Sequence, residues 1–468
     1  MSFARILRSS ALMGGAQVVV LAAAFVRTKL IAIVLGASGV GLIGIFNAFS
    51  GNVSSLAGWG LGTSGVRLIA GANENDKAAK IAAVRRMGWI LSLLGLGLGI
   101  MMFWPTTYLT FASSEYATEM AIVAMAVPCV IASSAWAALL QASGKIDSLA
   151  KVQMAGALAG LLLGLPAIYL WGTFGIALSI FLAAAVPACV LWRAANDAGG
   201  DAGVAKVQTS DLRQLAKIGG ALMLVAWMGQ LTAYLVRFAI IRQEGLEAAG
   251  YYQAAYAISG SLPGFIFAAM GADFLPRVVA AKDESEAHAI TEQQIQAGLL
   301  MGTPLIVTLL SLGDFCIRFL YADGFAESLP LLSWMAWGVF VRLVAWPMAF
   351  WLLARGSSST MILTESVSAL LLTLLSAVLL SFYGLVGCAM GFAFGQVLYA
   401  AFLLLVVLRR SGKWLCFRTI GWVLICAAVC ASSQYFAPML PSGVLRFAPA
   451  VLSAIAAAAL YLRLLRRP

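Results

Sequence analysis

Four basic residues, Arg27, Lys29, Arg237 and Arg342, lie inside long apolar stretches of this sequence. Placing an arginine at the centre of a bilayer costs at least about 2.5–3.5 kcal/mol, so such residues usually line a water-filled cavity or have a partner. A guanidinium binds phosphate oxygens through paired hydrogen bonds. We therefore interpret these residues as the lining of a cationic cavity that binds an anionic, phosphate-bearing substrate.

The basic residues also have simpler interpretations. Lys29 follows Arg27 by two positions, so on an ideal helix its side chain points about 200° away from that of Arg27. Lys29 could therefore extend to the outer lipid headgroups, and Arg237 could do the same. Arg342 lies near the middle of its apolar stretch, where a role inside the protein is favoured.

Few acidic residues are available to these cations: Asp273, Asp314 and Glu365 each lie near the end of an apolar stretch. Glu365 could be the ion-pair partner of Arg342, a site for a coupling ion such as H⁺ or Na⁺, or a cytoplasmic surface residue. Asp273 is a second candidate for such a role, although Asp273 and Asp314 could equally be surface groups. The single His288 and seven cysteines without a CxxC pair predict no metal, cofactor or disulfide framework.

The composition of the chain predicts the kind of secondary structure that must position these basic and acidic residues. Of 468 residues, 62% are hydrophobic and 10% are charged, and the mean hydropathy is +0.95. Soluble domains are about 45–50% apolar and about 25% charged, which excludes a large soluble enzyme and a disordered chain. Because a spanning helix needs about 20 apolar residues, we predict an all-α polytopic membrane protein with about fourteen transmembrane helices. The apolar windows are 11–35, 40–66, 87–105, 117–141, 152–171, 173–192, 214–241, 250–275, 296–320, 329–354, 360–382, 384–408, 419–437 and 446–463.

The orientation follows from the lysines and arginines between these windows. Nearly all of them fall on alternate connections, whereas the opposite side holds only Arg242, Arg318 and Arg446. Cytoplasmic connections carry the excess of basic residues, so both termini are predicted to be cytoplasmic. This topology accounts for most of the net charge of +11, and we expect no nucleic-acid partner.

The two halves of the chain resemble each other. Residues 11–13 (Ala-Leu-Met) recur as residues 221–223, Arg27 corresponds to Arg237, and one residue of slip later 41–51 faces 250–260. Both halves begin on the same side of the membrane, an arrangement typical of secondary transporters with a substrate site between the halves. We predict an N-terminal lobe of six helices over 1–193, a cytoplasmic linker over 194–212, a C-terminal lobe of six helices over 213–408, and helices 13 and 14 over 409–468.

Five short motifs stand out along the chain. They are Lys-Leu-Ile-Ala-Ile-Val-Leu-Gly-Ala-Ser-Gly-Val-Gly at 29–41, the glycine-rich segment 56–67, Phe-Leu-Pro-Arg at 274–277, Ile-Leu-Thr-Glu at 362–365 and Tyr-Gly-Leu-Val-Gly at 383–387. Together they resemble motifs of the polysaccharide flippases of the MOP (MATE-like) superfamily, especially the Wzx-type translocases of O-antigen and other lipid-linked oligosaccharides. Ala37 stands where that family usually has proline.

This resemblance implies a flippase that moves an undecaprenyl-diphosphate-linked oligosaccharide from the cytoplasmic to the periplasmic leaflet of the bacterial inner membrane. Lys29, Arg237 and Arg342 resemble the basic positions of Wzx proteins, and Arg27 resembles the first-helix arginine of the related lipid II flippases. The implied partners are membrane lipids and a polysaccharide polymerase. In lipid II flippases the last two helices form a lipid-binding groove, which nothing in residues 419–463 indicates here.

The predicted mechanism is alternating access by rocking of the two lobes, favoured by the membrane potential. Three alternatives compete with it. A MATE-like exporter of drugs or organic ions would need acids in its cavity, and a membrane glycan polymerase or ligase would need a large outer loop. A scaffold would not explain buried arginines at equivalent positions of a repeat. We therefore predict a transporter and not an enzyme.

Overall fold

The computed structural model describes residues 3–199, 208–355, 358–413, 415–439 and 447–465, and all regular structure in these ranges is helical. Two short 3₁₀ turns, Asp323–Phe325 and Ala437–Met439, accompany the α-helices. The α-helices are α1 (Phe3–Gly58), α2 (Leu61–Ala70), α3 (Glu74–Phe111), α4 (Ala117–Ala142), α5 (Ile146–Leu162), α6 (Gly164–Trp171), α7 (Thr173–Gly199), α8 (Thr209–Ala280), α9 (Glu284–Ser311), α10 (Gly313–Leu320), α11 (Ser328–Arg355), α12 (Ser358–Ser411), α13 (Phe417–Phe436) and α14 (Ala448–Leu465).

The chain divides into two compact units, unit 1 (Met1–Gly250) and unit 2 (Tyr251–Pro468). Within unit 1, α4 packs against α3 and α7, and α1 packs against α5. Within unit 2, α11 packs against α12 and α9, while α13 and α14 also pack against α9. The division falls inside α8, and the lobe boundary over 194–212 stays a prediction, of which residues 200–207 lie outside the described residues.

The helices are those of a membrane protein. Within the described ranges, ten helices are long and apolar enough to cross a membrane. Large apolar side chains on α3, α6, α12, α13 and α14 are more than half exposed, as lipid-facing side chains are; examples are Leu93, Leu170, Leu374, Leu424 and Leu452. The all-α membrane fold is therefore confirmed, while the count of fourteen helices stays a prediction.

Glycines in left-handed conformations break the helices at short connections. Gly36 (φ 66°), Gly245 (φ 91°) and Gly384 (φ 59°) divide α1, α8 and α12 into two arms each, and Gly172 (φ 56°) separates α6 from α7. A positive φ is strained for residues with a Cβ and costs glycine little. Gly36 and Gly245 are equivalent in the predicted repeat, and Gly172 and Gly384 join corresponding windows of the two halves.

A second glycine follows each of the later two breaks by three residues. A Cβ on Gly175 would overlap the carbonyl oxygen of Ala167, and a Cβ on Gly387 would overlap that of Leu379. Each glycine thus allows its helix to pack directly against the backbone of the residue eight positions earlier in the chain. The same contact at the same place in both halves supports the predicted repeat.

The first breaks of the two halves meet inside unit 1. A Cβ on Gly250 would overlap the carbonyl oxygen of Ala37, and a Cβ on Gly41 would overlap that of Leu246. Only a hydrogen atom fits at either position without displacing backbone. This reciprocal contact positions the second arm of α1 against α8.

Tryptophans join the second arm of α1 to the first arm of α8. Trp59 (φ 50°) lies between α1 and α2, and its Nε1 donates a hydrogen bond to the carbonyl of Ala216 at 2.9 Å. Further along, Trp227 Nε1 donates to Asn52 Oδ1 at 2.7 Å. Asn52, a polar residue inside a predicted apolar window, thus holds two helices together.

Candidate functional site

A cavity of about 480 Å³, here called the unit 1 cavity, lies between four helices of unit 1. Arg27 lines this cavity from α1. Its lining residues are Gln17, Val20, Ala23, Ala24 and Arg27 of α1; Ser133, Ser134 and Ala137 of α4; Leu149, Val152, Gln153, Gly156 and Ala157 of α5; and Ala183, Pro187 and Leu191 of α7.

Small residues position the helices around Arg27. A Cβ on Gly160 of α5 would lie 2.8 Å from the Cβ of Ala183 and 3.6 Å from Nη1 of Arg27. Gly156, one turn earlier, packs with similar closeness against Pro187 of α7. The glycines therefore bring α5 and α7 together and leave room for the guanidinium of Arg27.

Arg27 gives the described lining of the unit 1 cavity a positive charge. The Nε of Arg27 is buried and has no hydrogen-bond partner among the described residues. The lining residues that the structure describes include no aspartate or glutamate. A buried donor without a partner costs about 1–3 kcal/mol, and more when it belongs to a charged group. An anion with several acceptor oxygens would remove that cost.

Polar groups from three helices share the unit 1 cavity with Arg27. Gln17 Nε2 donates to Gln153 Oε1 at 3.3 Å, and Ser134 Oγ donates to the carbonyl of Ile131 at 2.8 Å. The Oγ of Ser133 is buried and has no partner among the described residues. Gln17, Gln153 and Ser133 are not among the site residues predicted above, and their only signal in the sequence is a polar side chain inside an apolar window.

The other predicted cations of unit 1 lie elsewhere. Arg237, on α8, is 5% exposed, and its Nη1 donates to the carbonyl of Ala233 on the same helix at 2.6 Å. Lys29 is partly exposed on α1. Neither residue is among those that line the unit 1 cavity, so the structure brings only Arg27 of the predicted cations there.

The remaining cation, Arg342, belongs to unit 2. Its guanidinium carbon lies 5.7 Å from the centroid of the Phe267 ring, a cation–π distance. Glu365 of α12 accepts a hydrogen bond from the hydroxyl of Tyr399 at 3.2 Å and interacts electrostatically with Arg342. Tyr399, on the second arm of α12, was not a candidate from the sequence.

The other two acidic residues that the sequence offered as candidates are Asp314 and Asp273. Asp314 lies 3.0 Å from Arg318, four residues on in α10, and this hydrogen bond raises the pKa of Arg318. Asp314 is therefore a partner of an exposed cation. The side chain of Asp273 lies outside the described residues. Within the described part of the chain, no three histidines, cysteines, aspartates or glutamates are grouped as metal ligands would be.

A groove that the sequence did not indicate lies between α9, α13 and α14 of unit 2. Its volume is about 480 Å³, and most of its lining is apolar. The lining residues are Val307, Val429, Ser432, Ser433, Phe436, Ala448, Pro449, Leu452, Ser453 and Ala456. Helices α13 and α14 therefore form an apolar surface together with α9. This surface is evident only from the way the three helices pack.

Solved structures share this fold. A lipid II flippase MurJ in an inward closed conformation superposes with a TM-score of 0.78 at 13% identity, covering 98% of this chain and 100% of that one. An outward-facing multidrug resistance MATE family transporter of the MOP superfamily has a TM-score of 0.61 at 14% identity, covering 86% and 95%. A MOP superfamily transporter from Pyrococcus furiosus, described as having a binding pocket of reverse polarity, has a TM-score of 0.56 at 14% identity, with the same coverage.

These proteins are transporters, in agreement with the prediction that this chain is not an enzyme. A comparison with curated proteins finds no match. A model of the family described as polysaccharide biosynthesis protein matches residues 6–282, which is more than half of the chain. The chain therefore belongs to the polysaccharide biosynthesis protein family.

Proposed function

We propose that this protein is a flippase that moves an undecaprenyl-diphosphate-linked oligosaccharide from the cytoplasmic to the periplasmic leaflet of the bacterial inner membrane. The membership in a polysaccharide biosynthesis family and the flippase-like fold support this proposal. Its product would be the substrate of a polysaccharide polymerase on the outer face, which makes such an enzyme the expected partner beside the membrane lipids.

The observation that carries the proposal is that, among the described residues, the Nε of Arg27 has no hydrogen-bond partner and the unit 1 cavity has no acidic lining residue. An exporter of organic cations requires the opposite polarity. A diphosphate offers several acceptor oxygens to a planar guanidinium, which is the geometry that arginine binds best. Arg27 is therefore the residue that we assign to the diphosphate.

The other candidate residues receive supporting roles. Lys29, Arg237 and Arg342 would add positive charge along the path of the headgroup. Glu365, hydrogen-bonded to Tyr399 and near Arg342, is the first candidate for a coupling-ion or ion-pair site, with Asp273 as the second. The apolar groove between α9, α13 and α14 is suited to the isoprenoid tail.

The direction of transport follows from the proposed topology, with both termini in the cytoplasm. The inside-negative potential favours outward movement of an anionic headgroup by about 2.3 kcal/mol per charge per 100 mV. Return of the empty carrier, with its cations unpaired, would be assisted by the same potential, because an inside-negative potential draws positive charge inward. A coupling ion bound near Glu365 would assist that return.

Replacing Arg27 tests the proposal. Arg27→Gln should lower export by about tenfold to a hundredfold, because it removes a charge-assisted paired interaction, and Arg27→Lys should retain part of the activity. The measurement is the amount of lipid-linked sugar that accumulates in the cytoplasmic leaflet of a deletion strain carrying each variant. Arg86→Gln, an exposed arginine of α3, is the matched control and should behave as wild type.

Wild-type export by Arg27→Gln, at equal protein abundance, would contradict the proposal. The same strains also test the alternative of a MATE-like exporter of drugs or organic ions, whose fold this chain shares. A deletion strain that becomes sensitive to cationic drugs and retains normal surface glycan would favour that alternative.

A further inference from the structure

The unit 1 cavity extends along one face of α1. Gln17, Val20, Ala24 and Arg27 line it at spacings of three and four residues, which places them on the same side of a helix. The ten steps along the helix from Gln17 to Arg27 span about 15 Å at 1.5 Å per residue. The cavity is therefore elongated, with a cation at one end and an amide at the other.

The two ends of the unit 1 cavity differ in chemistry. Gln17 and Gln153 share one hydrogen bond at 3.3 Å, but each amide has two N–H donors and a carbonyl oxygen with two lone pairs. Their remaining donors and acceptors can therefore bind a neutral polar group. The buried Oγ of Ser133, without a partner among the described residues, adds a hydroxyl that both donates and accepts.

The size of the unit 1 cavity exceeds what a phosphate group requires. Its 480 Å³ equals the volume of about sixteen water molecules at about 30 Å³ each. Small residues such as Ala23, Ala157 and Ala183 form much of the remaining wall. An apolar wall with a few polar groups at defined places is the usual form of a site for one specific small ligand.

We propose that the unit 1 cavity is a binding site for a sugar joined to phosphate, with the phosphate at Arg27 and the sugar hydroxyls at Gln17, Gln153 and Ser133. This inference rests on the proposed function and adds to it the part of the substrate that the cavity recognises. Sugar hydroxyls are donors and acceptors at once, as are glutamine amides and serine hydroxyls. The amide end thus selects a hydroxylated ligand, and the arginine end selects an anion.

The test compares two ligands that differ only by a sugar, farnesyl diphosphate and farnesyl-diphospho-N-acetylglucosamine. Both are titrated by calorimetry against the purified full-length protein in detergent micelles. Wild type should bind the sugar-bearing ligand about tenfold more tightly, which corresponds to one or two hydrogen bonds. Gln153→Ala and Ser133→Ala should each reduce that ratio and leave the affinity for farnesyl diphosphate unchanged, which also shows that the variants are folded.

Two further variants distinguish an error in the sugar site from an error in the anion site. Arg27→Gln should weaken both ligands by the same factor, and Gln141→Ala, an exposed glutamine of α4 outside the cavity, should change neither. If Gln153→Ala and Ser133→Ala keep the wild-type ratio, the sugar site is wrong while the proposed function stands. If Arg27→Gln leaves the affinity for farnesyl diphosphate unchanged, the anion site is wrong, and the proposed function and the sugar site are both overturned.

Discussion

Arg27 and Arg237 are equivalent in the predicted repeat, yet their side chains have different surroundings. Arg237 donates to a carbonyl of its own helix at 2.6 Å, whereas the Nε of Arg27 is buried and lacks a partner among the described residues. The same residue type at equivalent places of the predicted repeat thus has two different environments. An internal hydrogen bond lowers the cost of burying a cation, and a buried donor without one keeps that cost unless a ligand supplies an acceptor.

Glu119 is a buried carboxylate that the sequence did not mark as important. It is 9% exposed, lies in the first turn of α4, and accepts a hydrogen bond from Oγ1 of Thr173 at 2.8 Å. Thr173 begins α7 directly after the break at Gly172. The pair therefore connects the start of α4 to the start of α7.

We predict that Glu119→Ala lowers the free energy of unfolding by about 1–3 kcal/mol, since it leaves the Thr173 hydroxyl without its acceptor. The measurement is the thermal unfolding midpoint of the purified protein in detergent. Thr173→Val should destabilise by a similar amount, and the double variant should fall short of the sum because the two residues share one interaction. Glu115→Gln, an exposed carboxylate nearby, is the control; full additivity of the pair would contradict the prediction.

At the scale of the elements, glycines decide where the long helices break and how closely their arms pack. The breaks at Gly36, Gly245 and Gly384 follow from backbone conformations that other residues reach at a cost. Gly250 has a different role, because its φ is helical while a Cβ there would overlap the backbone of Ala37. Gly36, Gly245 and Gly384 thus set where the backbone changes direction, whereas Gly250 allows two helices to pack closely.

Gly250→Ala should destabilise unit 1 by about 1–3 kcal/mol, because the added methyl group meets a carbonyl oxygen that cannot rotate away. The matched control is Gly97→Ala in α3, where a Cβ would meet nothing within 4 Å and a helical alanine is favoured over glycine. Both variants are compared by thermal unfolding in detergent. Equal midpoints for the two would show that α1 and α8 do not pack as closely as described.

At the scale of the whole molecule, the predicted orientation in the membrane is open to a direct test. Alkaline phosphatase fused after Asp323, between α10 and α11, should be active, because this enzyme folds only outside the cytoplasm. A fusion after Ser411, at the end of α12, should be inactive, whereas a fluorescent protein at Ser411 should be bright. We expect this result because basic residues are concentrated in the connections that are predicted to be cytoplasmic. The reverse pattern of activities would contradict the predicted orientation.

The fold of the whole molecule does not by itself select the substrate. Structures described as a lipid II flippase, a multidrug transporter and a transporter with a pocket of reverse polarity share it, so a function must be argued from the site. Here the deciding property is the sign of the charge that faces the cavity. Under the proposed function, a cationic side chain without an acidic residue in the described lining separates an anion carrier from a cation exporter.

Much of the fold was predictable from sequence because the causes are local. Apolar windows predict helices wherever about 20 apolar residues follow each other, and the breaks at Gly36, Gly172 and Gly245 fall between predicted windows. The intramembrane position of Arg27 was also evident, since a charge in an apolar run requires a reason. These inferences need no knowledge of which helices are neighbours.

The composition of the candidate site was decided by tertiary packing. Gln17 and Gln153 are 136 residues apart and meet only because α1 packs against α5. Their polarity is visible in the sequence, but a polar residue in a membrane helix serves helix packing as readily as ligand binding. Asn52 accepts a hydrogen bond from Trp227 of another helix, whereas Gln153 bonds to Gln17 and also lines the unit 1 cavity. The sequence determined which residues required an explanation, and the packing of distant helices determined which of them share one cavity, because contact between helices depends on shape along their whole length.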